Sequence, residues 1–188
     1  PTLTDAQIIK YCKKGDPKGF KYFVDAYSSM LYGICIRYMN DEFEAKDVLQ
    51  DSLIKIFNAI KNYKNTGSFE GWISKITVNT ALMALRKNKK LIMFLEPVND
   101  YENIAIGEIE GELNERDILD MLEKMPDHYR VIFNLAIVEG YKHSEIAKIL
   151  EIPESTSRTK LTRARQKMKK IYLEEMKVKS INIERKYK

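Results

Sequence analysis

"HSEIAKILEIPESTSRTKLTRARQK", His143 to Lys167, holds two short helical patterns separated by three residues. Ile146, Ala147, Ile149 and Leu150 mark the first helix, and Glu151-Ile152-Pro153 turns the chain. In the second helix Ser157, Leu161, Ala164 and Met168 recur at steps of three and four, so they share a face that can pack on Ile146, Leu150 and Ile152. The opposite face then shows Ser155, Thr159, Thr162, Arg163 and Gln166, flanked by Arg158, Lys160 and Arg165. Two short helices joined this way form a helix-turn-helix. Its second helix carries groups that bond base edges and phosphates, and the major groove of DNA is wide enough to admit it. From Arg158 to Lys170 every charged residue is basic. A merely solvated helix mixes signs to gain pairs at i,i+4.

Two residues set the turn. Glu151 stands where such turns often place glycine, because the backbone there tends towards positive φ; Glu in that conformation costs on the order of 1 kcal/mol. Pro153 stands where a serine would cap the helix, and starts it through its fixed φ instead.

Upstream of this motif, Ile118, Leu119, Leu122 and Met125 form a helical stripe ended by Pro126. Tyr129, Ile132, Phe133, Ala136 and Ile137 form another, ended by Gly140. Residues 91–113 carry Glu96, Asp100, Glu102, Glu108, Glu110 and Glu112 without a Lys or Arg, and Pro97, Gly107 and Gly111 interrupt any helix; this stretch is expected to be an acidic linker.

The N-terminal part is helical as well. Thr4 and Gln7 suit a capping box, Asp16-Pro17 an N-cap followed by the first helical residue, and Asp41 with Glu44 a second capping box. Phe20, Phe23, Tyr27, Leu31, Ile34 and Tyr38 form one stripe. Ala45, Val48, Leu49, Leu53, Ile56, Phe57 and Ile60 form the next. A polar loop, "KNYKNTGS", leads to a helix from near Ser68 that carries Phe69, Trp72, Ile73, Ile76 and Leu85 into "RKNKK". The expected fold is all-α, with a helical domain over 1–90, the linker over 91–113, a helix-turn-helix domain over 114–178 and a basic tail over 179–188.

The totals narrow the classes of function. The chain has 188 residues, 44% hydrophobic and 31% charged, with a net charge of +5. No run is apolar enough to cross a membrane and no signal-peptide pattern opens the chain, so a soluble, cytoplasmic protein without direct membrane insertion is expected. Cys12 and Cys35 sit in helical patterns and read as buried neutral thiols rather than a disulfide framework. His128 and His143 have no motif partner. There is no glycine-rich phosphate loop, no Cys/His metal spacing and no nucleophile elbow. An enzyme is not expected, nor a cofactor, a metal site or a catalytic residue.

With these features in place, the chain resembles a known family. "LEKMPDHYRVIFNLAIVEGYKHSEIAKILEIPESTSRTKLTRARQKMKK" resembles region 4 of sigma factors of the extracytoplasmic-function (ECF) group within the sigma-70 family. "GDPKGFKYFVDAY", "EAKDVLQDSLIKIF" and "FEGWISKITVNTALMALRK" resemble region 2 of that group, in order and spacing. The resemblance spans roughly residues 5–173. It implies a transcription initiation factor that binds the RNA polymerase core through its clamp helices and flap, and directs it to promoter DNA. Region 2 would recognise the −10 element and help open the duplex; region 4 would recognise the −35 element. It also implies an anti-sigma partner, which in this group is often membrane-bound. The pattern departs at Met83, where relatives often carry an acid or another polar residue, and at Ser157, which replaces a common Val.

Site expectations follow residue by residue. Asp47, Gln50, Asp51, Ile54 and Asn58 lie opposite the core stripe of their helix; by resemblance, Asp47, Gln50 and Asp51, with Ile54 in the same row, match the surface that docks on the clamp helices. Lys75, Asn79 and Arg86 share one helix face, suited to phosphate contacts from the cations and a base or backbone bond from Asn79. The loop from Asn62 resembles the family's base-capturing loop, with Asn62, Asn65, Thr66 and Ser68 as hydrogen-bonding groups and Tyr63 as a stacking face. Trp72 is expected in the core, where it staples the helix together with Phe69. The −35 set is Ser155, Arg158, Thr159, Lys160, Thr162, Arg163 and Gln166. A free-standing helix-turn-helix regulator is the alternative; it would bind duplex unaided.

Overall fold

The computed structural model describes residues 3–39, 41–87 and 115–186. Contacts divide the chain into two units, Pro1–Asn88 and Lys89–Lys188. Both are helical, and the described residues include no strand.

In the first unit, α1 (Asp5–Lys13) starts at a reciprocal Thr4–Gln7 capping box. α2 (Pro17–Tyr38) starts where Asp16 accepts the Lys18 N–H at 2.9 Å, with Pro17 as its first residue. Gly19 lets α1 and α2 approach closely, since a Cβ there would lie 2.6 Å from that of Tyr11. α3 (Glu42–Ala59) is capped by Asp41, whose Oδ1 accepts the N–H groups of Phe43 and Glu44. A 3-10 turn, Ile60–Asn62, leads into the loop before α4 (Phe69–Lys87). The stripes expected from spacing pack inward: Phe23, Tyr27, Leu31, Ile34 and Tyr38 from α2 with Ala45, Val48 and Ile56 from α3. Aromatic rings knit the layers, with Phe23 at 5.2 Å from Phe57 and Tyr27 at 5.5 Å from Phe69. Cys12 and Cys35 are buried free thiols in this core.

In the second unit, α5 (Glu115–Glu123) and α6 (Asp127–Phe133) precede a π-helical turn, Asn134–Val138. α7 (His143–Leu150) and the long α8 (Glu154–Lys186) follow, and α8 packs against α5, α6 and α7. The stretch expected as a tail from residue 179 continues α8 as far as Lys186. Two stripe assignments need correction. On α5, Met121 is buried beside Leu122 and Met125, whereas Ile118 is exposed. After α6 the expected stripe ran on to Ile137, which is exposed. A π turn bonds i to i+5 and takes more residues per turn, so the helical phase slips and Asn134 and Leu135 face inward instead. Arg130 is buried, paired with Asp127, and donates from Nη1 to the Met125 carbonyl at 3.4 Å, which ties α6 to the end of α5.

Candidate nucleic-acid interface

The helix-turn-helix has the phase its sequence requires. Ser157, Leu161, Ala164 and Met168 are buried on α8, as are Ile146, Leu150 and Ile152 on the facing side. Glu151 ends α7 at φ 56°, ψ 44°, a left-handed conformation. The Ile152 N–H then bonds back to the Ala147 carbonyl at 3.0 Å, closing the turn. A further tie spans the motif: His143 Nδ1, at the start of α7, lies 2.8 Å from Ser157 Oγ on α8. Ser157 is wholly buried. Its buried hydroxyl is therefore partnered.

On the outer face of α8, Ser155, Arg158, Thr159, Thr162 and Arg165 are exposed, while Arg163 and Gln166 are half-buried. In the unbound protein these groups are engaged locally. Arg158 pairs with Glu154 one turn back. Thr159 and Thr162 donate their hydroxyls to the Ser155 and Arg158 carbonyls at 3.1 and 3.2 Å. These are exposed, weak contacts that a base or phosphate can replace.

Lys160 departs from expectation. It is 1% exposed. It stands three residues after Ser157 and four before Ala164, inside the core stripe, so its stem packs inward instead of flanking the outer face. Its charge had suggested solvent; its helical angle overrides that.

In the first unit, Lys75, Asn79 and Arg86 are exposed along α4. The loop before α4 is tightly tied. Lys13 Nζ donates to the Tyr63 carbonyl at 2.6 Å, Asn65 adopts φ 54°, and Ser68 Oγ accepts the Gly71 N–H at 3.2 Å. Asn62, Asn65, Thr66 and Ser68 stay exposed. Tyr63 does not offer a free ring face. It is buried, its ring lies 4.8 Å from that of Trp72 and 5.3 Å from Phe69, and its hydroxyl donates to the Gly67 carbonyl. The aromatic neighbours that fold the loop take up the faces a base would need. Trp72 is half-buried and stacks on Phe69 at 5.9 Å, consistent with a staple. A cleft of about 700 Å³ opens beside the loop, bounded by Asp5, Ile9, Tyr63, Asn65, Ser68 and Glu70.

On α3, Asp47, Gln50, Asp51 and Ile54 are all exposed, Ile54 at 53%. Phe43 belongs to the same row, four residues before Asp47, and is 79% exposed. Sequence reading missed it because it precedes the core stripe at the helix start. The available signal was its spacing from Asp47, Gln50 and Ile54, at steps of four, three and four. A groove of about 380 Å³ separates this row from α4, lined by Glu44, Asp47, Asp51, Lys55, Met83 and Lys87 among others. The acidic linker expected over 91–113, with Lys89 and Lys90 before it, lies outside the described residues.

No helix among the described residues is long and apolar enough to cross a membrane. Among those residues no cluster of His, Cys, Asp and Glu could hold a metal ion.

Two helical units, one closed by a DNA-reading helix-turn-helix, define a nucleic-acid-binding protein of a modular kind. Comparison with known proteins refines this. Residues 23–91 match the family model for sigma-70 region 2, and residues 115–168 match that for sigma-70, region 4. Curated relatives agree along nearly their whole length. The ECF RNA polymerase sigma-E factor of Haemophilus influenzae is 29% identical over 182 residues, covering 87% of this chain and 93% of the relative. The ECF RNA polymerase sigma factor SigW of Bacillus subtilis is 29% identical over 175 residues, covering 86% and 93%. The RNA polymerase sigma-H factor of Pseudomonas aeruginosa is 26% identical over 178 residues, covering 88% and 92%. Among solved structures, the sigma factor RpoE from Bartonella quintana, crystallised with the anti-sigma factor NepR, shares the fold with a TM-score of 0.52 at 21% identity, covering 82% of this chain and 97% of that one. CnrH in complex with the cytosolic domain of CnrY gives 0.50 at 17% identity, covering 89% and 96%. This chain belongs to the sigma-70 family, within its ECF group. It is a non-enzymatic initiation factor that directs RNA polymerase to specific promoters.

Proposed function

We propose that the three exposed faces divide the work of promoter selection. The row Phe43, Asp47, Gln50, Asp51 and Ile54 on α3 docks on the core enzyme; alternating acids, an amide and apolar side chains suit a separable protein interface. Lys75 and Arg86 on α4 hold the backbone at the −10 element, and Asn79 bonds a base or the backbone. Asn62, Asn65, Thr66 and Ser68 take an unstacked base beside the loop, whose packed frame offsets part of the few kcal/mol that unstacking costs. Ser155, Arg158, Thr159, Thr162, Arg163 and Gln166 on α8 read the −35 element.

The observation that carries this reading is the phase of α8. Its core stripe is buried against α7 across the left-handed turn, so the hydroxyl and guanidinium groups stand outward together. An anti-sigma factor is the natural regulator, because a protein that covers the α3 row or the α8 face would block docking or reading. Solved relatives of this fold include a complex with such a partner.

The test is run-off transcription with core RNA polymerase on a promoter library, set beside duplex binding with and without core. Core-dependent initiation from a restricted promoter set is the expected result. Tight binding to duplex without core, and no association with core, would favour a free-standing regulator instead.

A further inference from the structure

Met83 is the one large apolar side chain exposed on α4 among the described residues, at 56%. It stands four residues after Asn79, eight after Lys75 and three before Arg86, so these four share one face of the helix. All four are exposed. Lys55, from α3, reaches across to the same place: its Nζ lies 3.8 Å from Met83 Sδ and donates to Thr80 Oγ1 at 3.3 Å. Four cations stand on this side of the unit, Lys75, Arg86 and Lys87 on the helix of Met83 and Lys55 beside it. The row Lys75, Asn79, Met83 and Arg86 suits the track of a polyanion. The thioether donates no hydrogen bond and accepts only weakly. What it can grip on a nucleic acid is apolar, and the apolar feature that differs between bases is the thymine 5-methyl group. Met83 also forms part of the groove between α3 and α4, where Lys55 and Lys87 stand together with Glu44, Asp47 and Asp51; these acids repel phosphates, so a strand meets Met83 from the outer side of α4.

We propose that Met83 contacts the 5-methyl group of a thymine in the −10 element and sets base preference at that position. This rests on the reading of α4 given under Proposed function.

The test uses the full chain assembled with bacterial core RNA polymerase and a promoter pool randomised through the −10 element. Stable open complexes are recovered and sequenced. The wild-type chain is expected to enrich thymine at a position where Met83→Ala does not, and Met83→Leu is expected to retain the preference. Replacing that thymine by deoxyuridine removes only the methyl group. This should lower open-complex formation by the wild-type chain about fourfold, the size of one buried methyl, and leave Met83→Ala unchanged. Indifference of the wild-type chain to deoxyuridine at every enriched thymine, enrichment of no thymine, or an unchanged thymine preference in Met83→Ala would each overturn the proposal. Loss of core affinity in Met83→Ala without a change in base preference would also overturn it, and assign the side chain to the polymerase. Lys75→Ala and Arg86→Ala distinguish the two levels. They should weaken complexes whatever the base; if they do not, the α4 reading fails, and the Met83 proposal with it.

Discussion

Glu151 holds the turn of the helix-turn-helix at φ 56°. An L side chain in that region costs roughly 1–2 kcal/mol, while glycine is free of the clash but loses more chain entropy on folding. Glu151→Gly should therefore stabilise the second unit by about 0.5–1 kcal/mol, read as a raised thermal midpoint. Glu151→Val should lower it, because a β-branched side chain suffers more at positive φ. At the same scale, Arg163 belongs to the −35 face and is half-buried there. Arg163→Ala is expected to cost about 1–3 kcal/mol of −35 discrimination with little change at the −10 element. Equal transcription from all −35 variants by the substituted protein would contradict that role.

Among the elements, α3 carries the clearest division of labour. One side buries Ala45, Val48 and Ile56 in the core, while the other exposes Phe43, Asp47, Gln50, Asp51 and Ile54. A surface change on this row leaves the fold within about 0.5 kcal/mol of wild type. Asp51→Arg is expected to weaken core binding measurably through reversed charge. Phe43→Ala is expected to remove about 1–2 kcal/mol, as truncation of an aromatic anchor does at an interface. Titration of fluorescently labelled protein with core enzyme, alongside a melting curve, separates docking from folding. Unchanged affinity in both variants would reject the row as the docking face.

At the scale of the whole molecule, the core of the first unit governs its response to alkali. Burial raises the Cys12 thiol from 9.0 to about 11 and the Cys35 thiol from 9.0 to about 12. Burial and the Asp5 carboxylate beside it push the Tyr27 hydroxyl up as well. Each group is held neutral in the folded state. Its contribution is fully present below pH 9, where the unfolded thiols are also protonated, and declines as pH rises towards the folded values. The melting midpoint of the first unit should therefore fall steadily above pH 9. Below that pH, a thiol reagent should label Cys12 and Cys35 only as fast as the unit opens. Rapid labelling of the native protein at pH 7 would contradict the burial.

The sequence by itself determined the helices, their caps and the helix-turn-helix, because these depend on local spacing, on turn residues and on which side chains recur at steps of three and four. Thr4, Asp16, Asp41 and the left-handed position of Glu151 were legible for that reason. Most of the exposed rows on α3, α4 and α8 were legible too, since they lie opposite apolar stripes. Only the tertiary structure decided where charge or polarity yields to packing. Lys160 is drawn into the core by its angle on α8, Tyr63 by the rings of Phe69 and Trp72, and Ile137 is turned outward by a π-helical slip that no residue pattern announces. The bond between His143 and Ser157 was equally out of reach, because it joins side chains fourteen residues apart that meet only once α7 and α8 have packed.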